Sequence, residues 1–203
     1  MSNDQIKALT TSQVSNLTST QINGITTEQI SAMTGAQMAA ITTTVLEKMS
    51  TAQIQSMNTS AVALLSTTQI GKLTNAQVGA FSAEQIKALT NNQVVALTTS
   101  QAHSLSGEQV SAMTTRQIAM LESADFAQLS TDAIGALSTA QVRAMTNAQV
   151  GALTTDQIGQ LGASEVGALT STQITSLKRD ALAAMGAEQV QAIKPTVVAA
   201  MTT

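Results

Sequence analysis

The sequence contains no cysteine, tryptophan or tyrosine, and only one proline, one histidine and two phenylalanines in 203 residues. Without cysteine there are no disulfides, thiolate nucleophiles or cysteine metal sites, and the redox compartment is left open. The two aromatic rings, Phe81 and Phe126, make no stacking platform. Charged residues are 10% and the net charge is −3, so no basic stripe exists and nucleic acid is not an expected partner. No run approaches the ~18 apolar residues of a membrane span. The opening MSNDQIKALTTSQ lacks the apolar stretch of a signal peptide. Export is therefore expected by a route needing no such leader, or as part of a longer chain, and a cytoplasmic location stays open.

What is present is an eight-residue period. Every eighth residue from Met1 to Met201 is apolar, 26 positions in all, including Leu9, Leu17, Ile25, Met33 and Ile41. A second apolar position follows each by five residues, from Ile6, Val14 and Ile22 to Val198. With Leu9 as position 1, the consensus octad is L-T-T-x-Q-I-x-A. A chain this periodic is an array of one small unit, and the sequence predicts a single continuous array of 25 octads over residues 1–203.

Position 2 is Ser, Thr or Asn in 20 of 25 octads and position 5 is Gln or Glu in 19; 17 octads combine Ser or Thr with Gln or Glu, as in Thr10/Gln13 and Ser138/Gln141. That is the capping box, in which the hydroxyl accepts the backbone N–H three residues on and the glutamine accepts the cap N–H. Positions 1 and 6 fall where a hydrophobic staple requires apolar residues. Eight of twelve acids, among them Asp4, Glu28 and Glu84, sit at position 4, in the first helical turn. Five of nine bases, among them Lys7 and Arg143, sit at positions 7 or 8, in the last. Pro195 is at the first helical position, where its missing N–H costs nothing.

These signals predict an all-α fold: an α-solenoid, a superhelical rod of very short helices, one per octad. A single long helix is disfavoured because a stripe repeating every eight residues drifts about 80° per repeat. A β-solenoid is the closer rival, since eight is even and Thr and Val suit strands, but it leaves the capping boxes unexplained. A helix this short cannot stand alone, so octads must pack on one another, helped by Ala, Gly or Ser at position 8 in 18 of 25. The 24-residue spacing of Glu84, Glu108, Asp132, Asp156 and Asp180 points to three octads per turn. Departures from consensus at Gly162, Lys178 and Lys194, spaced by 16, point to two.

No catalytic, cofactor-binding or metal-ligating residue is assigned, and no cofactor is expected. His103 is alone at an exposed position. The acid column supplies one carboxylate per turn, too few for a cation. The ten methionines and both phenylalanines read as core filler. Gly71, Gly79, Gly135, Gly151, Gly159 and Gly167 recur at position 7, where helices crowd or a residue is simply exposed. Serines and threonines have no base beside them, so no enzyme is expected. Thr11, Thr27, Thr43, Thr67, Thr99, Thr115 and Thr155 at position 3 are the candidate for a hydroxyl–methyl lattice of the ice-binding kind. The region from Glu122 to Asp132, in which Glu122, Asp125 and Phe126 depart from the pattern, is the candidate for a partner-binding patch.

The repeat L-T-x-x-Q-[IV]-x-[AG]-L resembles octad arrays in large bacterial surface or secreted proteins, often described as adhesins. The resemblance covers the whole chain and implies an extracellular or surface-associated repeat segment without ligand residues. L-T-x-x-Q alone is similar to the motif of periplasmic Spy/CpxP-type chaperones, where it opens long helices; only the capping mechanics are shared. The reading is a non-enzymatic structural protein, a spacer, adhesin or filament-forming segment. Its apolar pattern runs in phase from Met1 through Val197, Val198 and Met201, which suggests either head-to-tail self-association or a piece cut from a longer array. A binding module for a protein or surface partner and an ice-binding face are the alternatives.

Overall fold

The computed structural model describes residues 2–200, with Ala200 described by its backbone alone. Met1 and Met201, the ends of the apolar series, lie outside the described residues. Among those described there are 25 helices of four to six residues and no strand.

Each helix starts as the caps demand. All 17 Ser/Thr–Gln octads form the reciprocal box. In α11 (Ala83–Ala88) the Ser82 N–H donates to Gln85 Oε1 at 2.9 Å and the Gln85 N–H donates to Ser82 Oγ at 3.2 Å. Acids occupy the first turn as the macrodipole favours. Hydrogen bonding, first from the backbone at Glu28 itself and then from Thr26, holds the exposed Glu28 carboxyl below its ordinary range. Where Thr42 is followed by Val45, and where Glu122 replaces the hydroxyl, no side chain caps the helix, and α6 (Thr43–Leu46) and α16 (Ser123–Phe126) have only four residues.

Six-residue helices end at two consecutive extended residues. Leu153, at φ −56° and ψ 136°, closes α19 (Asn147–Ala152); Thr154, at φ −81° and ψ 167°, opens α20 (Thr155–Gln160). No described residue has a positive φ, so the corners need no glycine, which explains the scarcity of Gly-Pro turn signals.

The chain forms two compact units, Met1–Gln101 and Ala102–Thr203. In the first, every main packing pair joins helices three apart: α1 (Asn3–Lys7) with α4 (Thr27–Ala32), α2 (Thr11–Ser15) with α5 (Gly35–Ala39), and so on to α9 (Thr67–Lys72) with α12 (Asn91–Val95). The second repeats the rule from α14 (Gly107–Ala112) with α17 (Thr131–Gly135) to α22 (Ser171–Ser176) with α25 (Pro195–Ala200). Both units therefore wind with three octads, 24 residues, per turn. The 16-residue spacing of Gly162, Lys178 and Lys194 records weak caps and not the packing period, since none of the three offers a capping side chain.

Positions 1 and 6 are the core. Ile54, Ile70, Val94 and Ile134 are 0% exposed, and Leu65, Leu89 and Leu137 are at most 4%. Burial of each such side chain contributes about 1.5–3 kcal/mol. Phe81 and Phe126 are buried in place of the consensus residues, and the internal methionines Met33, Met49, Met57, Met113 and Met145 are core filler as expected.

The position-7 glycines divide into two kinds. At Gly71, Gly135, Gly151 and Gly167 a Cβ would approach the carbonyl of the residue 25 further on, to 2.9 Å from Ser176 O in the case of Gly151. At Gly159 nothing lies within 4 Å. Gly159→Ala should therefore stabilise by about 0.5–1 kcal/mol through helix propensity alone. Gly151→Ala must displace backbone and should destabilise. Thermal and urea midpoints of the two variants check the opposite signs.

Candidate functional site

The most elaborate polar arrangement lies between turns. The glutamine of each capping box has a second half, its amide NH2, and the structure shows where it goes. Gln85 Nε2 donates to the carbonyls of Ile54 at 2.9 Å, Gln55 at 3.2 Å and Met57 at 2.7 Å, one turn earlier. The same offsets of 31 and 28 residues recur at Gln53, Gln77, Gln93 and Gln101 in the first unit, and at Gln141, Gln149, Gln173 and Gln189 in the second. The acceptors are a late carbonyl of the helix, which also takes the N–H three residues on (Met57 N–H to Ile54 O at 3.2 Å), and the corner carbonyl after it, for which no backbone donor appears among the described residues. One side chain thus starts its own helix and terminates another. These glutamines are at most 7% exposed, and no buried side-chain polar atom among the described residues is left unbonded.

Position 2 can take over the task. Before α8 (Thr59–Leu64) position 5 is Ala61, and the cap is Asn58. Asn58 Oδ1 accepts the Ala61 N–H at 2.8 Å while Nδ2 donates to the Met33 carbonyl at 3.0 Å. Glu165 cannot donate, and its carboxylate turns back over Gly162, 2.5 Å from where a Cβ would stand.

The sequence signal for this ladder was available. Position 5 holds glutamine 18 times and glutamate once. A capping box accepts either residue, so the bias marks a donor in use.

The other candidates resolve as follows. His103 is exposed, and its Nδ1 lies 2.8 Å from the carbonyl oxygen of Gln128, to which it donates as the Nδ1–H tautomer; it terminates a helix end 25 residues on. Of the off-pattern patch, Glu122 is exposed, but Asp125 is 4% and Phe126 0% exposed. Two of these three residues are buried, because they stand at positions 5 and 6, the places that Gln85 and Ile86 fill in α11. The position-3 threonines are shared among all three sides of the turn: Thr43 and Thr67 follow one another on α6 and α9, whereas Thr11, Thr27 and Thr99 belong to other sides. They make no single flat lattice. Glu108, Asp132, Asp156 and Asp180 stand on helices that pack in succession, yet among the described residues no group of three or more His, Cys, Asp or Glu gathers to hold a metal ion. Among the described residues no helix is long and apolar enough to cross a membrane. An open cleft of about 470 Å³ beside Gly159, Gly162, Gly186 and Glu188 is lined mainly by small residues.

A family model for the ALTTAQ repeat matches residues 46–75, 72–99 and 118–155. The chain is thus similar to that repeat over much of its middle, and most of the matched octads carry the boxes described above. No curated protein matches the chain.

Substitution separates the two halves of the glutamine. Gln85→Glu keeps the capping oxygen but sets a carboxylate against three carbonyls, and should cost about 2–4 kcal/mol near neutral pH. Gln13→Glu, at an exposed glutamine, should change stability by less than about 0.5 kcal/mol. Protonation restores one donor to the carboxyl that Gln85→Glu introduces. Burial raises that carboxyl above its unfolded value, so the deficit should shrink as pH falls through the raised value. Urea midpoints against pH read this; equal midpoints for the two variants would remove the amide from the account.

Proposed function

We propose that this chain is a non-enzymatic structural repeat segment, a spacer or scaffold of a bacterial surface or secreted protein. The observation that supports this is the ladder itself. The polar side chains built into the interior are engaged in holding turn to turn, so they are not arranged around a ligand. What faces solvent is mainly short hydroxyl, amide and alanine side chains, a surface suited to separating or carrying other parts. The octad resemblance to surface and secreted arrays supports the location. The binding-module and ice-binding readings have less support, since the patch residues are partly internal and the threonines are dispersed.

The absence of cysteine makes the spacer reading easy to test. Thr20→Cys and Asn92→Cys place labels on exposed sites of one side, three turns apart within the first unit. Deleting residues 43–66 removes three octads and rejoins Thr42 to Thr67 in phase. The label separation should fall by about 9 Å, one helix-packing distance, with unchanged ellipticity per residue. An unchanged separation overturns the spacer reading. Antibody against the chain should label intact producing cells or the medium; confinement to the cytosol overturns the surface assignment.

A further inference from the structure

Asn23–Gly24 is the one Asn-Gly pair in the chain. It forms the corner after α3 (Ser19–Asn23): Asn23 is the last helical residue and Gly24 is the cap, at φ −84° and ψ −3°. Asn23 is exposed, and its side chain makes no hydrogen bond among the described residues. Asn16 and Asn58, by contrast, use their amides on the carbonyls of Ser12 and Met33. A Cβ on Gly24 would meet only carbonyls of its own helix, Gln21 at 3.5 Å and Thr20 at 3.9 Å, so nothing from another turn covers that place.

The carbonyls on either side of this pair are tied to one atom. Gln53 Nε2 donates to the Ile22 carbonyl at 2.8 Å and to the Ile25 carbonyl at 2.8 Å. Ile22 is 0% and Ile25 4% exposed. The main chain is thus pinned at both ends of the Asn23–Gly24 stretch, while the stretch itself faces solvent. The Gly24 N–H donates to the Gln21 carbonyl at 3.1 Å, which keeps its nitrogen engaged while the corner is closed.

We propose that Asn23 is a site of spontaneous covalent modification, whose rate the Gln53 rung sets and whose product breaks that rung. The Gly24 backbone nitrogen attacks Asn23 Cγ. A C–N bond forms, the Cγ–Nδ2 bond breaks, and ammonia leaves with the Gly24 amide proton, closing a cyclic imide. Water then opens the ring. Addition at the Cγ carbonyl leaves aspartate; addition at the main-chain carbonyl leaves isoaspartate, with the Asn23 Cβ and Cγ now in the main chain. Gly24 has no Cβ to shield its nitrogen. Attack still requires Asn23 to leave the helical conformation, so it waits on local opening of the corner, which the Gln53 bonds resist. Isoaspartate lengthens the chain by a carbon between two carbonyls that a single nitrogen holds, so both bonds cannot form again. Either product also sets a carboxylate at the C-terminal end of α3, where the macrodipole disfavours anions. The reaction releases a rung inside the first unit and marks the age of the chain. It goes beyond the scaffold reading and does not rest on it.

The test is incubation of the folded full chain in mildly alkaline buffer. Peptide mass spectrometry reads the exchange of ammonia for water at each asparagine, and enzymatic methylation of isoaspartate reads that product. Asn23 should convert faster than the exposed Asn16, Asn75 and Asn147, which are followed by Leu17, Ala76 and Ala148. Gln53→Glu keeps the capping oxygen but loses the donor, and should raise the Asn23 rate by about fivefold or more. Gln77→Glu cuts a different rung, to Leu46 and Met49, and should leave the Asn23 rate near that of wild type. With wild type alone, urea should speed Asn23 by a larger factor than Asn75, because only Asn23 sits under a rung. Aged wild type should show a lower urea midpoint than aged Gly24→Ala. The proposal is overturned by an Asn23 rate no higher than those of the other three. It is equally overturned by an unchanged rate in Gln53→Glu, by Gln77→Glu accelerating Asn23 as much, by equal urea factors, or by equal midpoints after ageing.

Discussion

The structure depends on one hydrogen-bonding economy: a primary amide with its oxygen facing one helix start and its nitrogen facing another helix end. A five- or six-residue helix leaves most of its backbone groups unpaired, because the first four N–H and last four C=O groups of any helix lack internal partners. A chain made only of such helices carries that defect in every octad. Apolar burial at positions 1 and 6 drives the octads together, but burial without these bonds would strand carbonyls in the interior, at about 1–3 kcal/mol each. Glutamine at position 5 removes the conflict, since the same residue that needs burial supplies the missing donors.

This accounts for which substitutions the array carries. Asn58 with Ala61 is a changed pair that preserves both bonds, with the amide moved three residues toward the N-terminus. Glu165 with Gly162 is a pair that abandons the ladder: the carboxylate has no hydrogen to give and occupies the space that a missing side chain leaves open. At α6 and α16 the box is lost and the helix is shorter, while Leu46 and Phe126 remain fully buried. Core burial tolerates a lost cap locally: at α6 the octads on either side keep the amide, in Gln37 and Gln53, whereas α16 is followed by Ala133 at position 5.

Much of the architecture could be read from residue order alone. The Ser/Thr–Gln spacing located every box because capping is local, and the 24-residue recurrence of acids matched the packing period because those acids sit on one side of the turn. The destination of the glutamine NH2 was not read, because a bond to a residue 28 earlier has no local signature; only the exclusion of glutamate hinted at it. Phe126 is buried, as its reading as core filler expects, but grouping it with Asp125 in a partner-binding patch ran the other way for a related reason. Departure from consensus shows that a site is unusual, not whether it faces inward. The glycines at position 7 could not be sorted by sequence either, since Gly151 and Gly159 occupy the same register and differ only in what the next turn brings near them.

The offsets of 28 and 31 residues leave remainders of four and seven when divided by eight, so each ladder bond joins fixed places in the octad and is indifferent to which octads supply them. Loss or gain of whole octads replaces each partner by an equivalent one, whereas an indel that is not a multiple of eight sets the amides whose bonds span it against the wrong backbone. A gene for such a chain can therefore lengthen or contract by replication slippage in eight-codon steps, with the product folding after each event, so that reach becomes a heritable quantity adjustable without redesign.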